Sequence, residues 1–219
     1  MEDFIKEFID SNASAVFGLL GALGGGLVSF LASWLLKKRE YNLRLWDKLL
    51  ERRIRAHENV IAVALEMRVM VALGATEENG EVARAPQVLR SKEDFDQWFI
   101  RFTQLTLEGS TWLTTEAKRE LNFVQDYLVT LYQNLTEVPS EKYLQIGQVI
   151  RQDFLDLSSD LEKKCFAFFG KEVRRLKLSN LKKWHKYKRP ETEKRLKKTA
   201  LLSQWEKIQR IVAPEGERR

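Results

Sequence analysis

Two histidines, one cysteine and a group of carboxylates are the residues of this chain whose types could carry chemistry. His57 stands five residues after Arg52, an R-x4-H spacing. An arginine and a histidine can together hold a phosphodiester and move a proton, so Arg52 and His57 are the candidate catalytic pair. His57 also borders an apolar stripe, the place of a packed structural histidine. Asp153, Asp156 and Asp160 fall at i, i+3 and i+7, on one face of a helix. Carboxylates so placed can bind a divalent metal, or more commonly pair with cations such as Arg151, Lys163 and Lys164, and no metal site is assigned. Cys165 is the single cysteine and sits in an apolar run, which suits a buried, inert thiol. No GxxxxGK[ST], GxSxG or HExxH occurs, and no GxGxxG follows a strand. The chain is therefore not read as an enzyme, and no cofactor is expected.

The elements that would position these residues begin with a membrane span. Ser11 to Leu36 is a run of 26 residues without a charge. A helix of that length reaches about 39 Å, against a hydrocarbon core of roughly 30 Å. A cleaved signal peptide should have a basic leader, yet residues 1–10 carry four acids and one lysine. Lys37-Lys38-Arg39 closes the run as a stop-transfer signal would. Residues 37–57 hold eight Lys or Arg against three acids. The basic flank predicts a plasma-membrane protein with its N-terminus outside and its main domain in the cytoplasm.

One side of the span is built of small residues. On a helical wheel Ser14, Gly18, Gly21, Ala22, Gly25, Gly26, Ser29 and Ser33 fall, with Ala15 and Ala32, within about 140° of arc. Val16, Leu19, Leu20, Leu23, Leu27, Phe30, Leu31 and Trp34 lie opposite. Gly21 and Gly25 form a GxxxG pair. Small faces let helices approach closely in lipid, where packing replaces the hydrophobic force. The expected partner is a second copy or another protein's transmembrane helix.

Beyond the span the pattern predicts an all-α domain of about five helices. The membrane helix is expected to continue as a juxtamembrane helix over 37–73, followed by an exposed loop over 74–90 that contains Gly, Asn and Pro. Ser91 with Asp94 marks a helix start, opening a helical domain over 91–212 and leaving 213–219 as a tail. Within it, helices are expected to about Leu105, from Thr114 to Leu135, and from Pro139 to about Leu178 with a bend near Gly147 or Gly170. A last helix should follow Pro190 and run to Val212. No strand-like alternation of useful length stands out.

The last quarter is basic: residues 171–219 hold 17 Lys or Arg and six acids, in a chain whose formal net charge is +6. Arg174, Arg175, Lys177, Lys182, Lys183, Trp184, Lys186, Lys188 and Arg189 form the densest part. Anionic lipid headgroups and nucleic-acid phosphates both suit such a cluster. A chain already tied to the bilayer favours lipid.

The R-x4-H spacing of Arg52 and His57 resembles the motif of HEPN ribonucleases, helical proteins whose arginine and histidine act on RNA across a dimer. The combination of span and helical domain is similar to the membrane-anchored HEPN-like accessory protein of type VI-B CRISPR systems. More broadly it looks like the single-span membrane effectors of bacterial anti-phage defence. The reading taken from these residues is a self-associating single-span protein whose cytoplasmic domain senses or docks a partner, perturbing the membrane when the packing of the spans changes. The alternative is a HEPN-like RNA-binding or RNA-processing protein at the membrane.

Overall fold

A computed structural model describes residues 13–76, 80–173 and 188–213. The 1–10 leader, the 214–219 part of the tail and most of the basic cluster lie outside the described residues. The chain divides into two units, residues 1–50 and 51–219. The described residues are all-α apart from one short hairpin.

Helix α1 spans Ala13–Glu66. Its apolar stretch is long and apolar enough to cross a membrane, and none of that stretch is buried. The helix ends seven residues before the expected Leu73. Its last turn closes through i→i+3 bonds, Arg68 N to Leu65 O at 3.0 Å and Val69 N to Glu66 O at 3.2 Å, which terminate an α-helix.

The expected loop over 74–90 is instead largely an antiparallel hairpin, β1 (Met70–Thr76) and β2 (Val82–Pro86). Met70 pairs with Pro86, Val71 with Ala85 and Ala72 with Arg84, before an irregularity up to the Thr76–Val82 pair. Gly74 sits within that irregularity at φ +70°, a left-handed conformation that costs glycine little. Strand β2 alternates: Val82 and Arg84 are exposed while Ala83 and Ala85 are buried. The inward residues are alanines because helix α4 (Tyr143–Val149) comes very close. A Cβ added at Gly147 would lie 3.2 Å from Ala85 Cβ and 3.4 Å from Leu89 Cβ.

The remaining helices are α2 (Lys92–Gly109), α3 (Thr115–Leu135), α5 (Arg151–Phe168), α6 (Arg189–Leu196), α7 (Ala200–Ser203) and α8 (Trp205–Val212). Ser91 caps α2 by accepting from Asp94 N at 3.0 Å, and Thr114 caps α3 by accepting from Ala117 N at 3.3 Å. The long helix expected after Pro139 is broken at Ile150 (φ −98°, ψ 11°) and passes into a π-turn over Phe169–Val173 that contains Gly170, while its expected end at Leu178 lies outside the described residues. Three short helices stand where a single one to Val212 was expected.

The core of the 51–219 unit forms around the end of α1. Ala56, Val60, Val63, Ala64 and Met67 are buried there with Phe95 and Phe102 of α2, Val124, Leu128 and Leu131 of α3, and Phe154 and Leu161 of α5. Gly109 meets Ala56, its added Cβ 3.1 Å from the alanine Cβ, so two small residues set the α1–α2 contact. Ser158 Oγ donates to Ala64 O at 2.5 Å and ties α5 to α1. Gly147→Val should overpack the α4–hairpin contact and cost about 1–3 kcal/mol, read as a lower midpoint of thermal unfolding. Gly170→Ala, whose added Cβ would meet nothing within 4 Å, should stay within about 0.5 kcal/mol of the parent.

Candidate functional site

The small-residue face belongs to the first unit. Ser14, Gly18, Gly21, Ala22, Gly25, Gly26, Ser29 and Ser33 are all exposed. A Cβ built on Gly18, Gly21, Gly24, Gly25 or Gly26 meets nothing within 4 Å. The opposite side is equally bare, with Leu23 at 63% and Phe30 at 68% exposure. Trp34 carries the Lys38 ammonium over its ring at 5.0 Å.

Arg52 and His57 both lie on α1 but do not converge. Arg52 is exposed, with its guanidinium carbon 5.5 Å from the centre of the Trp112 ring. His57 is wholly buried. Its Nδ1 donates to Arg53 O at 2.7 Å and its Nε2 accepts from Thr114 N at 3.3 Å. A carbonyl accepts and an amide N–H donates, so these bonds select the neutral imidazole with the proton on Nδ1. The ring also stacks on Phe168, with centroids 4.0 Å apart and planes 11° apart. With both nitrogens held by backbone, the imidazole is placed as a structural group and not as a general base.

The arginine beside His57 is Arg53, which the R-x4-H spacing does not single out. Its side chain is 1% exposed. Its Nε donates to Trp112 O at 3.2 Å, and its guanidinium carbon lies 5.0 Å from the centre of the Phe168 ring. Arg52 and Arg53 thus grip the same residue, one through the indole ring and the other through the carbonyl. Their joint effect is to fasten α1 to the 3-10 turn Ser110–Trp112 between α2 and α3, and to the end of α5.

The three aspartates separate into three roles. Asp153 is buried and accepts from Ala200 N at 2.7 Å, Leu201 N at 2.9 Å and Tyr127 Oη at 3.0 Å. It caps α7 from another helix. Burial pushes its carboxyl above the usual carboxylate range, against the opposing pull of those three donors. The Tyr127 hydroxyl is raised well above its ordinary value, chiefly by burial and then by the neighbouring carboxylate. Asp156 accepts from Gln152 Nε2 at 2.8 Å, and Asp160 lies 3.8 Å from Arg195. Among the described residues no group of three His, Cys, Asp or Glu could hold a metal ion. Burial raises the Cys165 thiol to about 12, which suppresses its thiolate.

Of the basic cluster, Lys188 and Arg189 lie in the described chain, both exposed and paired with Glu191 and Glu193 at 2.8 Å. Arg174, Arg175, Lys177, Lys182, Lys183, Trp184 and Lys186 lie outside it. A further clasp, half open to solvent, has no local sequence signal: Arg195 forms a bidentate pair with the buried Glu120 at 2.6 and 3.1 Å, its guanidinium carbon 3.6 Å from the Phe123 ring centre. The partners are 75 residues apart, beyond any helical spacing rule.

No family model, curated protein or solved structure matches the chain.

His57→Ala removes a buried ring, its stack and two backbone hydrogen bonds. It should cost roughly 2–4 kcal/mol in urea or thermal unfolding. Arg52→Ala, which loses an exposed contact with an indole ring, should cost less than about 1 kcal/mol. A His57 variant that kept full stability would remove the structural role assigned to this ring.

Proposed function

We propose that this chain is a self-associating single-span protein of the plasma membrane. Its N-terminus lies outside and its helical domain lies in the cytoplasm, where it senses or docks a partner. The observation that carries this reading is the bareness of the apolar part of α1. Leu19, Leu20, Leu23, Leu27 and Phe30 all stand exposed, and each would contribute roughly 1.5–3 kcal/mol if removed from water. The core helix of a soluble domain would be covered by its own chain. This stretch is not covered, and a bilayer is the medium that suits it. The helix also continues without interruption through Lys37-Lys38-Arg39, which supports a retained span over a cleaved leader. The excess of Lys and Arg after the span supports the orientation.

Self-association rests on the second property of the same helix. Four glycines with open space at the Cβ position, Gly18, Gly21, Gly25 and Gly26, set among serines and alanines, form a surface on which another helix can come close. In this reading the domain receives a signal, and a change in packing between spans perturbs the membrane. That is the mode suited to the defence effectors the architecture resembles. The packing of His57 gives no support to the RNA-processing alternative.

Light scattering on the full chain in detergent should give at least a dimeric mass. Gly21→Leu/Gly25→Leu should weaken association about tenfold or more, a loss of at least ~1.4 kcal/mol. Wild-type protein that stays monomeric at every concentration, or that carbonate washes from membranes, would overturn the proposal.

A further inference from the structure

Helix α6 has two faces of different chemistry. Its inner face is fixed to the domain by the Arg195–Glu120 pair, by the packing of that guanidinium on Phe123, and by Leu196 against the core. Lys194, Lys197 and Lys198 lie away from that face. Lys194 and Lys197 stand at i and i+3, about 60° apart on the helix, Lys197 keeping helical angles at the C-cap, and Lys198 follows in the closing turn with its N–H bonded to Arg195 O at 3.0 Å. All three are exposed, and among the described residues none has an acidic partner. The acids that could neutralise them within the helix are engaged elsewhere: Glu191 pairs with Lys188 and Glu193 with Arg189. The sequence just before the helix adds charge of the same sign, since residues 174–187 contain six Lys or Arg and no acid.

We infer that Lys194, Lys197 and Lys198 form a docking face for the headgroups of an anionic bilayer. The inference rests on the span proposed above, which keeps the chain within reach of the membrane surface. Charge complementarity selects a phosphate-bearing surface. The face itself has no aromatic side chain on which a base could stack, which favours lipid over single-stranded nucleic acid. A lysine near an anionic surface gains about 1 kcal/mol, a factor of roughly five, so three together supply about a hundredfold preference for the docked state.

The test uses the full chain in nanodiscs of phosphatidylcholine alone, or with about one third phosphatidylglycerol. The acylation rate of each lysine by an amine-reactive ester is followed by mass spectrometry. Lys163, exposed on α5, is the reference. Acylation of Lys194, Lys197 and Lys198 should slow at least about fivefold in the anionic discs, with the rate restored by about 0.5 M salt, where screening is nearly complete. Equal rates in both bilayers, or slowing that Lys163 shares, would overturn the inference. Protection by a short single-stranded RNA in phosphatidylcholine discs, with no effect of phosphatidylglycerol, would overturn it in favour of nucleic acid. Carbonate extraction of the same discs reports separately on the span: release of the chain would remove the span and this face with it.

Discussion

The 51–219 unit depends on taking four ionisable side chains out of water and meeting each with a partner. Arg53, His57, Glu120 and Asp153 are all buried. An unpaired polar group in such a position costs several kcal/mol, and an unpaired charge more. Each is therefore matched by a group from a distant element. Arg53 and His57 bind the turn before α3 and the aromatic end of α5. Glu120 of α3 binds Arg195 of α6, and Asp153 of α5 binds the first amides of α7 and the Tyr127 hydroxyl of α3. The net contribution of such pairs to stability is modest, but the arrangement in which all these contacts form at once is a narrow one. That matters most for the C-terminal helices, where among the described residues only Leu201 and Ile208 are buried. Polar contacts there act beside the partly buried Leu196, Leu202, Trp205, Ile211 and Val212, which pack against the same core. Lys142 extends the same principle at the chain's end, donating to Val212 O at 2.9 Å and Ala213 O at 3.3 Å and so satisfying carbonyls left open by the last turn of α8.

What the sequence makes legible is local. Ser91 before Glu93-Asp94 is a cap because a hydroxyl can reach an amide two or three residues on, and the spacing alone states this. The apolar periods of α2 and α3 likewise declare which faces turn inward. The hairpin hides because the buried side of β2 is made of Ala83 and Ala85. Alanine is no marker of a strand, and a period-2 pattern in small residues carries little hydrophobic contrast. The reason for those alanines lies in Gly147, which is 62 residues from Ala85 in sequence and against it in space. Close approach of two backbones is a long-range fact.

The candidate chemistry was obscured in the same way. R-x4-H reads as an association of Arg52 with His57, yet the residue that shares the histidine's surroundings is Arg53, and the two adjacent arginines face different media. One residue's difference on a helix is a turn of about 100°, enough to exchange solvent for core. The aspartate series was open to both a metal reading and a pairing reading because spacing fixes only a common face. Asp156 finds Gln152 one turn back on its own helix, whereas the partners of Asp153 and Asp160 come from α7 and α6, elements that meet α5 only through the fold.

The span poses the converse question, since its composition is legible and its energetics need explaining. Glycine in a helix interior is less favourable than alanine by about 0.5–1 kcal/mol in water, and Gly18, Gly21, Gly24, Gly25 and Gly26 fall within nine consecutive residues. In lipid that cost is tolerated because unfolding the backbone there would leave hydrogen-bonding groups with no partner. Tolerance does not by itself explain the arrangement, because leucine at the same positions would give a better lipid-soluble helix. What glycine supplies and leucine cannot is proximity: removing the side chain lets a second backbone come near enough for dispersion contacts along the whole ridge. None of that surface is used within the described chain. A ridge of this kind contributes energy only when something lies against it, and the first unit by itself contains nothing that does.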